Sequence, residues 1–216
     1  MIDQGFRDLI PEALSEINAI AGQPFVLKGG TALMECYGLD RVSVDIDLDG
    51  EGARSSMLQP VLEERIEEYC QGKGFALRIG KNTETIQKLY IHRSLDQGEP
   101  LKIEVSYRRQ NINPSDAVII AGYKVYTLDV LTQMKASAYL SRDRIRDLFD
   151  LVFVCEKHFD QLTEQTKSVL INAFEYKDLS QFDYLIRTQD DPLIDKDLLA
   201  ERFLNTLTKL GLLAAT

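Results

Sequence analysis

Apolar side chains recur at Phe6, Leu9, Ile10, Leu14, Ile17 and Ile20, the three-and-four spacing of one helix face, so residues 5–21 predict a helix that Gly22 and Pro24 stop. PFVLKGG then reads as a short apolar strand running into a glycine turn, with Thr31 placed to cap the helix TALMECYG. VDIDLDG alternates strictly and predicts a strand. Residues 54–71 return to helical spacing, with Leu58, Val61, Leu62, Ile66 and Tyr69 on one stripe. FALRIG, TIQKLYIHR and LKIEVSYRR alternate again, and AVIIAGYKVYTL continues as short strands about a turn at Gly122. From Leu128 onward nearly everything carries helical periodicity, and only Pro192 interrupts it. The pattern predicts an α/β domain over residues 1–127 and a helical subdomain over 128–216, with no repeat, low-complexity tract or long linker.

One strand does not fit a purely structural account. In VDIDLDG the alternation places Asp45, Asp47 and Asp49 on one face and Val44, Ile46 and Leu48 on the other. Burying the aliphatic face is favourable. Three carboxylates a few ångströms apart repel one another unless water or a cation neutralises them.

Composition narrows the setting. The chain has 216 residues, 44% hydrophobic and 27% charged, which suits a globular protein. No stretch approaches the roughly 18 apolar residues of a membrane span, and the N-terminus lacks the basic and apolar regions of a signal peptide. The three cysteines Cys36, Cys70 and Cys155 are scattered, and with two histidines they support neither a zinc site nor a disulfide framework. A reducing cytoplasm is the expected location. The net charge of −9 argues against broad, non-specific nucleic-acid binding. Two local basic clusters remain, Lys102 with Arg108 and Arg109, and Arg142 with Arg144 and Arg146. Each reads first as a solvated face.

The chemistry concentrates where the first strand, Gly29-Gly30-Thr31, a helix and the Asp45/Asp47 strand follow one another. A glycine turn at a helix N-terminus offers backbone N–H groups and a positive dipole end to a phosphate, and the Thr31 hydroxyl adds a donor. Two carboxylates alternating on one strand can share divalent metal ions, typically Mg²⁺, with the same phosphates. Either half alone is a weak signal; both in this order are much stronger.

KGGTAL followed by RVSVDIDL resembles the signature of the DNA polymerase β-like nucleotidyltransferases. The spacing of Gly29, Gly30, Thr31, Arg41, Ser43, Asp45 and Asp47 is similar to that of the abortive-infection group (AbiEii/AbiGii-like), the toxin side of type IV toxin–antitoxin pairs. The group's second motif, a helix Lys, then an Arg, then R-D-x-x-D, falls on Lys135, Arg142, Arg146, Asp147 and Asp150. The resemblance covers roughly residues 24–155. It implies an α/β (α+β) nucleotidyltransferase-type mixed sheet flanked by helices. It also implies a reaction that moves a nucleoside monophosphate from an NTP to a hydroxyl of RNA, such as a tRNA, or of a protein, and a separate antitoxin as partner. Gly29, Gly30, Thr31, Lys135 and Arg142 would then bind the triphosphate, and Asp45 and Asp47 would hold Mg²⁺. Glu104 in LKIEVSY is the candidate third carboxylate. Asp150 would orient Lys135 or Arg142, or help remove a proton. If the helix is unbroken, Lys135 and Arg142 lie on one face of it, seven residues apart. A salt-bridged helix face explains Arg146, Asp147 and Asp150 as well. Tyr107, Tyr123, Tyr126 and Tyr139 could stack a base or simply pack. Two rival readings remain: the same chemistry on a small cationic molecule, and an interaction protein that keeps the fold without the activity.

Overall fold

The computed structural model describes residues 4–93 and 99–213. Met1–Asp3, at the head of the expected first domain, lie outside them, and Phe6 lies outside the residues whose side chains are described. Among the described residues the chain forms a seven-stranded mixed sheet and eight α-helices. By contacts it divides into two units. The first takes the chain up to Gly38 and Val42–Thr127; the second takes Leu39–Arg41 and the chain from Leu128. Three residues of an early loop thus belong with the later helices.

In the first unit, α1 (Gln4–Asn18) precedes β1 (Phe25–Lys28), α2 (Gly29–Tyr37), β2 (Asp45–Gly50) and α3 (Ser55–Lys73). The strands β3 (Ala76–Thr83), β4 (Ile86–His92), β5 (Leu101–Ser106), β6 (Ala117–Ile120) and β7 (Tyr123–Tyr126) complete the sheet in the order β3-β4-β5-β2-β1-β7-β6. The pairs β2–β5 and β1–β7 are parallel, and the others are antiparallel. Alternation sorts the central strands into two faces. Leu27, Ile46, Leu48, Leu89, Ile91, Ile103 and Val105 are all at most 2% exposed. The α3 side of this layer is fixed by Gln87, whose Nε2 donates to the Gln59 carbonyl at 3.0 Å. Helices α1 and α3 are tied together by Tyr69 donating to Glu12, and by Arg65–Glu16 and Lys73–Glu12 pairs. The other face of β2 and β5 carries Asp45, Asp47, Asp49, Lys102 and Glu104.

The start of α2 differs from expectation. The helix begins at Gly29, with Lys28 in the cap position and no side-chain cap bond. Thr31 lies inside the helix, fully buried, and its hydroxyl donates to the Asp45 carbonyl. Gly29 at φ +77° makes the turn from strand to helix without a cap, so the threonine is released to tie α2 to β2.

The second unit is built on α4 (Leu128–Ser141), α5 (Ile145–His158), α6 (Glu164–Tyr176), α7 (Leu179–Thr188) and α8 (Lys196–Lys209). Every residue from Asp147 to Cys155 is buried, so α5 is the central helix, and that stretch is apolar on all sides except for two aspartates. Phe203 joins α6, α7 and α8, stacked on Phe182 at 4.5 Å and tilted against Phe174 at 5.8 Å. Helix α4 ends at Ser141, so Arg142 lies past its end and does not share a helix face with Lys135. None of the described helices is long and apolar enough to cross a membrane.

Candidate functional site

Two charge clusters contain the residues singled out in the sequence, one in each unit. The first grows from register. On β2, Asp45 stands opposite Lys102 of β5, and Asp47 stands between Glu104 of β5 and Lys28 of β1. The lysine ammonium groups then do what the sequence asked of a cation. Lys102 Nζ lies 3.1 Å from Asp45 Oδ2 and 3.7 Å from Glu104 Oε2. Lys88, opposite Glu104 on β4, pairs with it at 2.8 Å. Lys28 reaches diagonally to Asp49 at 2.5 Å, where Arg109 at 3.4 Å and the Tyr126 hydroxyl at 2.9 Å complete the set around the buried carboxylate. Asp49 is therefore structural.

The three remaining carboxylates are not equivalent. Burial pushes the Asp47 carboxyl up; Lys102 pulls the other way, but Asp45 and Glu104 add to the upward push, and the net displacement is upward. Burial also opposes ionisation of Glu104, yet the hydrogen bond from Lys88, helped by Lys102, holds it below the ordinary carboxylate range. Asp45 is the most exposed of the ion-paired acids in this row, its side chain 40% accessible. A crowded carboxylate raised by like charges is what a divalent cation relieves, so Asp45 and Asp47, adjacent on one face, fit Mg²⁺. Glu104 fits less well: its carboxylate is committed to Lys88, and among the described residues no three acidic, His or Cys side chains are gathered closely enough to hold a metal.

Gly29 and Asp47 are locked together. A Cβ on Gly29 would stand 2.6 Å from Asp47 Oδ2, so the carboxylate rests against the bare glycine at the N-terminus of α2. The first N–H groups of α2, those of Gly29, Gly30 and Thr31, have no partner within the helix and carry its positive dipole end. The backbone here suits an anion. The Thr31 side chain does not, because its hydroxyl proton is given to Asp45 in a fully buried position.

The second cluster joins Arg41 to α4 and α5. Arg41 grips Asp150 with two bonds of 2.7 Å, through Nε and Nη2. Lys135 Nζ lies 2.5 Å from the same carboxylate and 3.9 Å from Asp147, which Arg142 binds in turn at 2.6 and 3.0 Å. Asp150 is wholly buried, and burial alone would raise its carboxyl, but Lys135 and Arg41 outweigh it and lower the value. An enclosed carboxylate held ionised by two cations has neither the access nor the basicity to take a proton. Asp150 orients Lys135, and Arg142 is oriented by Asp147 instead.

Other expectations resolve as packing. Tyr107, Tyr126 and Tyr139 are buried, and Tyr107 donates to Gln87 at 3.0 Å. Arg146 pairs with Asp191. Of the two anticipated basic clusters, Lys102 and Arg109 are spent on Asp45 and Asp49, and Arg142 on Asp147. The neutralising roles of Lys28, Lys88 and Arg41 follow from strand register and tertiary pairing, which no local motif carried.

A family model described as Nucleotidyl transferase AbiEii toxin, Type IV TA system, matches residues 12–215. Among solved structures, a putative nucleotidyltransferase from H. pylori is similar with a TM-score of 0.72 and 22% identity, over 98% of this chain and 97% of that one. JHP933 from Helicobacter pylori is similar with a TM-score of 0.72 and 24% identity, over 96% and 92%. At these identities the likeness is one of fold. Among curated proteins none matches.

Gly29→Ala combines a positive φ with a side-chain clash and is expected to cost about 1–3 kcal/mol in urea unfolding. In an Asp47→Ala background the closest clash, with the carboxylate oxygen, is gone, so the same substitution should cost measurably less; equal costs would disprove the contact. Asp150→Ala strands two buried cations and is expected to cost roughly 3–5 kcal/mol. Because the Asp150 carboxyl is lowered on folding, its stabilisation is complete above the ordinary carboxylate pKa and fades as pH falls through the lowered folded value. Acid unfolding curves of Asp150→Asn should lack that part of the pH dependence.

Proposed function

The chain belongs to the AbiEii family of nucleotidyltransferase toxins, and from that premise we propose that it transfers a nucleoside monophosphate from an NTP to a hydroxyl of RNA or protein at the Asp45/Asp47 face of the sheet. The observation that carries this reading is the meeting of an anion-suited helix start, Gly29-Gly30, with two adjacent carboxylates, one of them pressed directly on Gly29. The backbone N–H groups at the start of α2 take phosphate oxygens of the triphosphate. Thr31 acts indirectly, fixing the Asp45 main chain. Asp45 and Asp47 hold Mg²⁺, which when bound supplies charge neutralisation at the α-phosphate and makes the acceptor hydroxyl easier to ionise. The acceptor oxygen forms a bond to the α-phosphorus, its proton passes to solvent water, and the bond to the β-phosphate oxygen breaks to release pyrophosphate.

Lys102 holds Asp45 and Glu104 apart from Asp47 when no divalent ion competes, and the Lys88–Glu104 pair keeps that acid anchored. The family pattern gives Lys135 and Arg142 a triphosphate role, and the carboxylates of Asp150 and Asp147 fix their directions. As in other phosphoryl transfers, positioning and charge neutralisation supply most of the rate. Family membership implies an antitoxin as partner.

With Mg²⁺ and α-labelled NTPs, purified chain is expected to label one macromolecular fraction of a cell extract, and Asp45→Asn with Asp47→Asn to label none. Label confined to small molecules would replace the acceptor class; label from the double variant would remove the site. Metal titration gives an independent check. Lys102→Met removes a competing cation about 4 Å away and is expected to tighten Mn²⁺ about tenfold, whereas the double Asn variant should not bind it.

A further inference from the structure

The face that bears Asp45 and Asp47 continues outward across β5, β4 and β3, and its outer half changes character. On the inner half each acid has a basic partner close by. On the outer half, register sets Lys81 of β3 directly opposite Lys88 of β4, and Arg78 opposite Tyr90. Lysines facing each other across adjacent strands repel. Lys88 is relieved by Glu104. Among the described residues neither Lys81 nor Arg78 has an acidic partner, and both are exposed. The Arg78 guanidinium lies instead over the Tyr90 ring, 4.1 Å from its centroid. Gly80, at the register shift between Ile79 and Lys81, makes room for that ring, because a Cβ there would collide with it. Helix α3 covers β4 on the opposite face, beneath Gln87, so Tyr90 and Lys88 stay partly accessible.

We infer that this strip docks a single-stranded nucleic acid, the acceptor whose terminal hydroxyl reaches Asp45 and Asp47. The inference rests on the transfer reaction proposed above and adds the seat of a nucleic-acid acceptor. Charge complementarity argues for a polyanion: among the described residues Arg78 and Lys81 have no acidic partner, and Lys88 opposes Lys81, in a chain whose net charge is −9. The ring and guanidinium argue for bases, which stack on such surfaces, rather than for an acidic peptide, which does not. Continuity argues for the acceptor. The rows Arg78–Tyr90–Lys102–Asp45 and Lys81–Lys88–Glu104–Asp47 run unbroken from β3 to β2, three strand spacings or about 14 Å.

The test is fluorescence anisotropy of a labelled 12-nucleotide single-stranded RNA against the full chain, over a range of salt, with Mg-NTP binding and thermal melting measured in parallel. Arg78→Glu with Lys81→Glu is expected to weaken RNA binding at least tenfold and to lower the salt slope by about 1 to 2. Tyr90→Leu is expected to weaken it about fivefold with the slope retained. Both variants should keep wild-type Mg-NTP binding and melting. Should Tyr90→Leu unfold, the exposed Lys81→Glu alone still decides the matter, with a loss of several-fold expected. No RNA binding by the wild type, equal binding by the charge-reversed variant, or tighter binding of a duplex would overturn the inference. So would normal labelling of a protein fraction by the charge-reversed variant. In each of these cases intact Mg-NTP binding would leave the transfer reaction standing, whereas its absence from the wild type would count against that reaction itself.

Discussion

Three aspartates at alternate positions of a central strand put a row of negative charge on one face, and lysines of both neighbouring strands reach into that row. At 4 Å, like charges cost from about 1 kcal/mol in water to several in a partly buried setting. The cross-strand partners turn that cost into attraction: Lys102 beside Asp45, Lys28 beside Asp47 and Asp49, and Lys88 beside Glu104. Strand order is thereby constrained. Moving β5 one residue against β2 would set Ile103 opposite Asp45 and turn Lys102 and Glu104 onto the apolar face.

The same row fixes how β1 becomes α2. Asp47 occupies the space a side chain on Gly29 would need, and Thr31 reaches back to the Asp45 carbonyl. The glycine therefore has two reasons to be glycine, a positive φ and a carboxylate at contact. Both place the helix start against the carboxylates. An anion bound to the α2 N–H groups would lie beside Asp47 by construction, and that neighbourhood is the basis of the functional reading.

Much of this was legible in the sequence. Alternation and helical spacing located the strands and helices, because each buries one face and those periods survive in the side chains. The glycine pair and the alternating aspartates marked the candidate site for the same reason: both are local patterns. What was not legible is whatever depends on register or on distant pairing. Thr31 looks like a cap until the positive φ at Gly29 shows that the helix starts earlier. Arg142 looks like a partner for Lys135 until α4 ends at Ser141. Asp150 looks available for proton transfer until Arg41, more than a hundred positions away, closes over it. Lys102, counted in the sequence as part of a basic cluster, is spent on Asp45, while Arg78 and Lys81, separated by a bulge, attracted no notice.

The two charge clusters differ in a way that bears on their uses. Asp150 is sealed, with both oxygens bonded to cations and no access to water, so removing any member leaves an uncompensated buried charge. Such a cluster can hold a lysine still but cannot readily exchange partners. The β2 row is open. Asp45, Glu104, Lys102 and Lys88 each keep between a quarter and two fifths of their side-chain surface, and their pairing energies are correspondingly small. Its cations can be displaced at little cost, while Asp47, raised by burial and by its neighbours, gains from any stronger cation placed beside it. A locked cluster suits orientation and an open one suits ligand exchange. On that difference the open row suits the metal and nucleotide of the proposed reaction, and the sealed one keeps Lys135 in place.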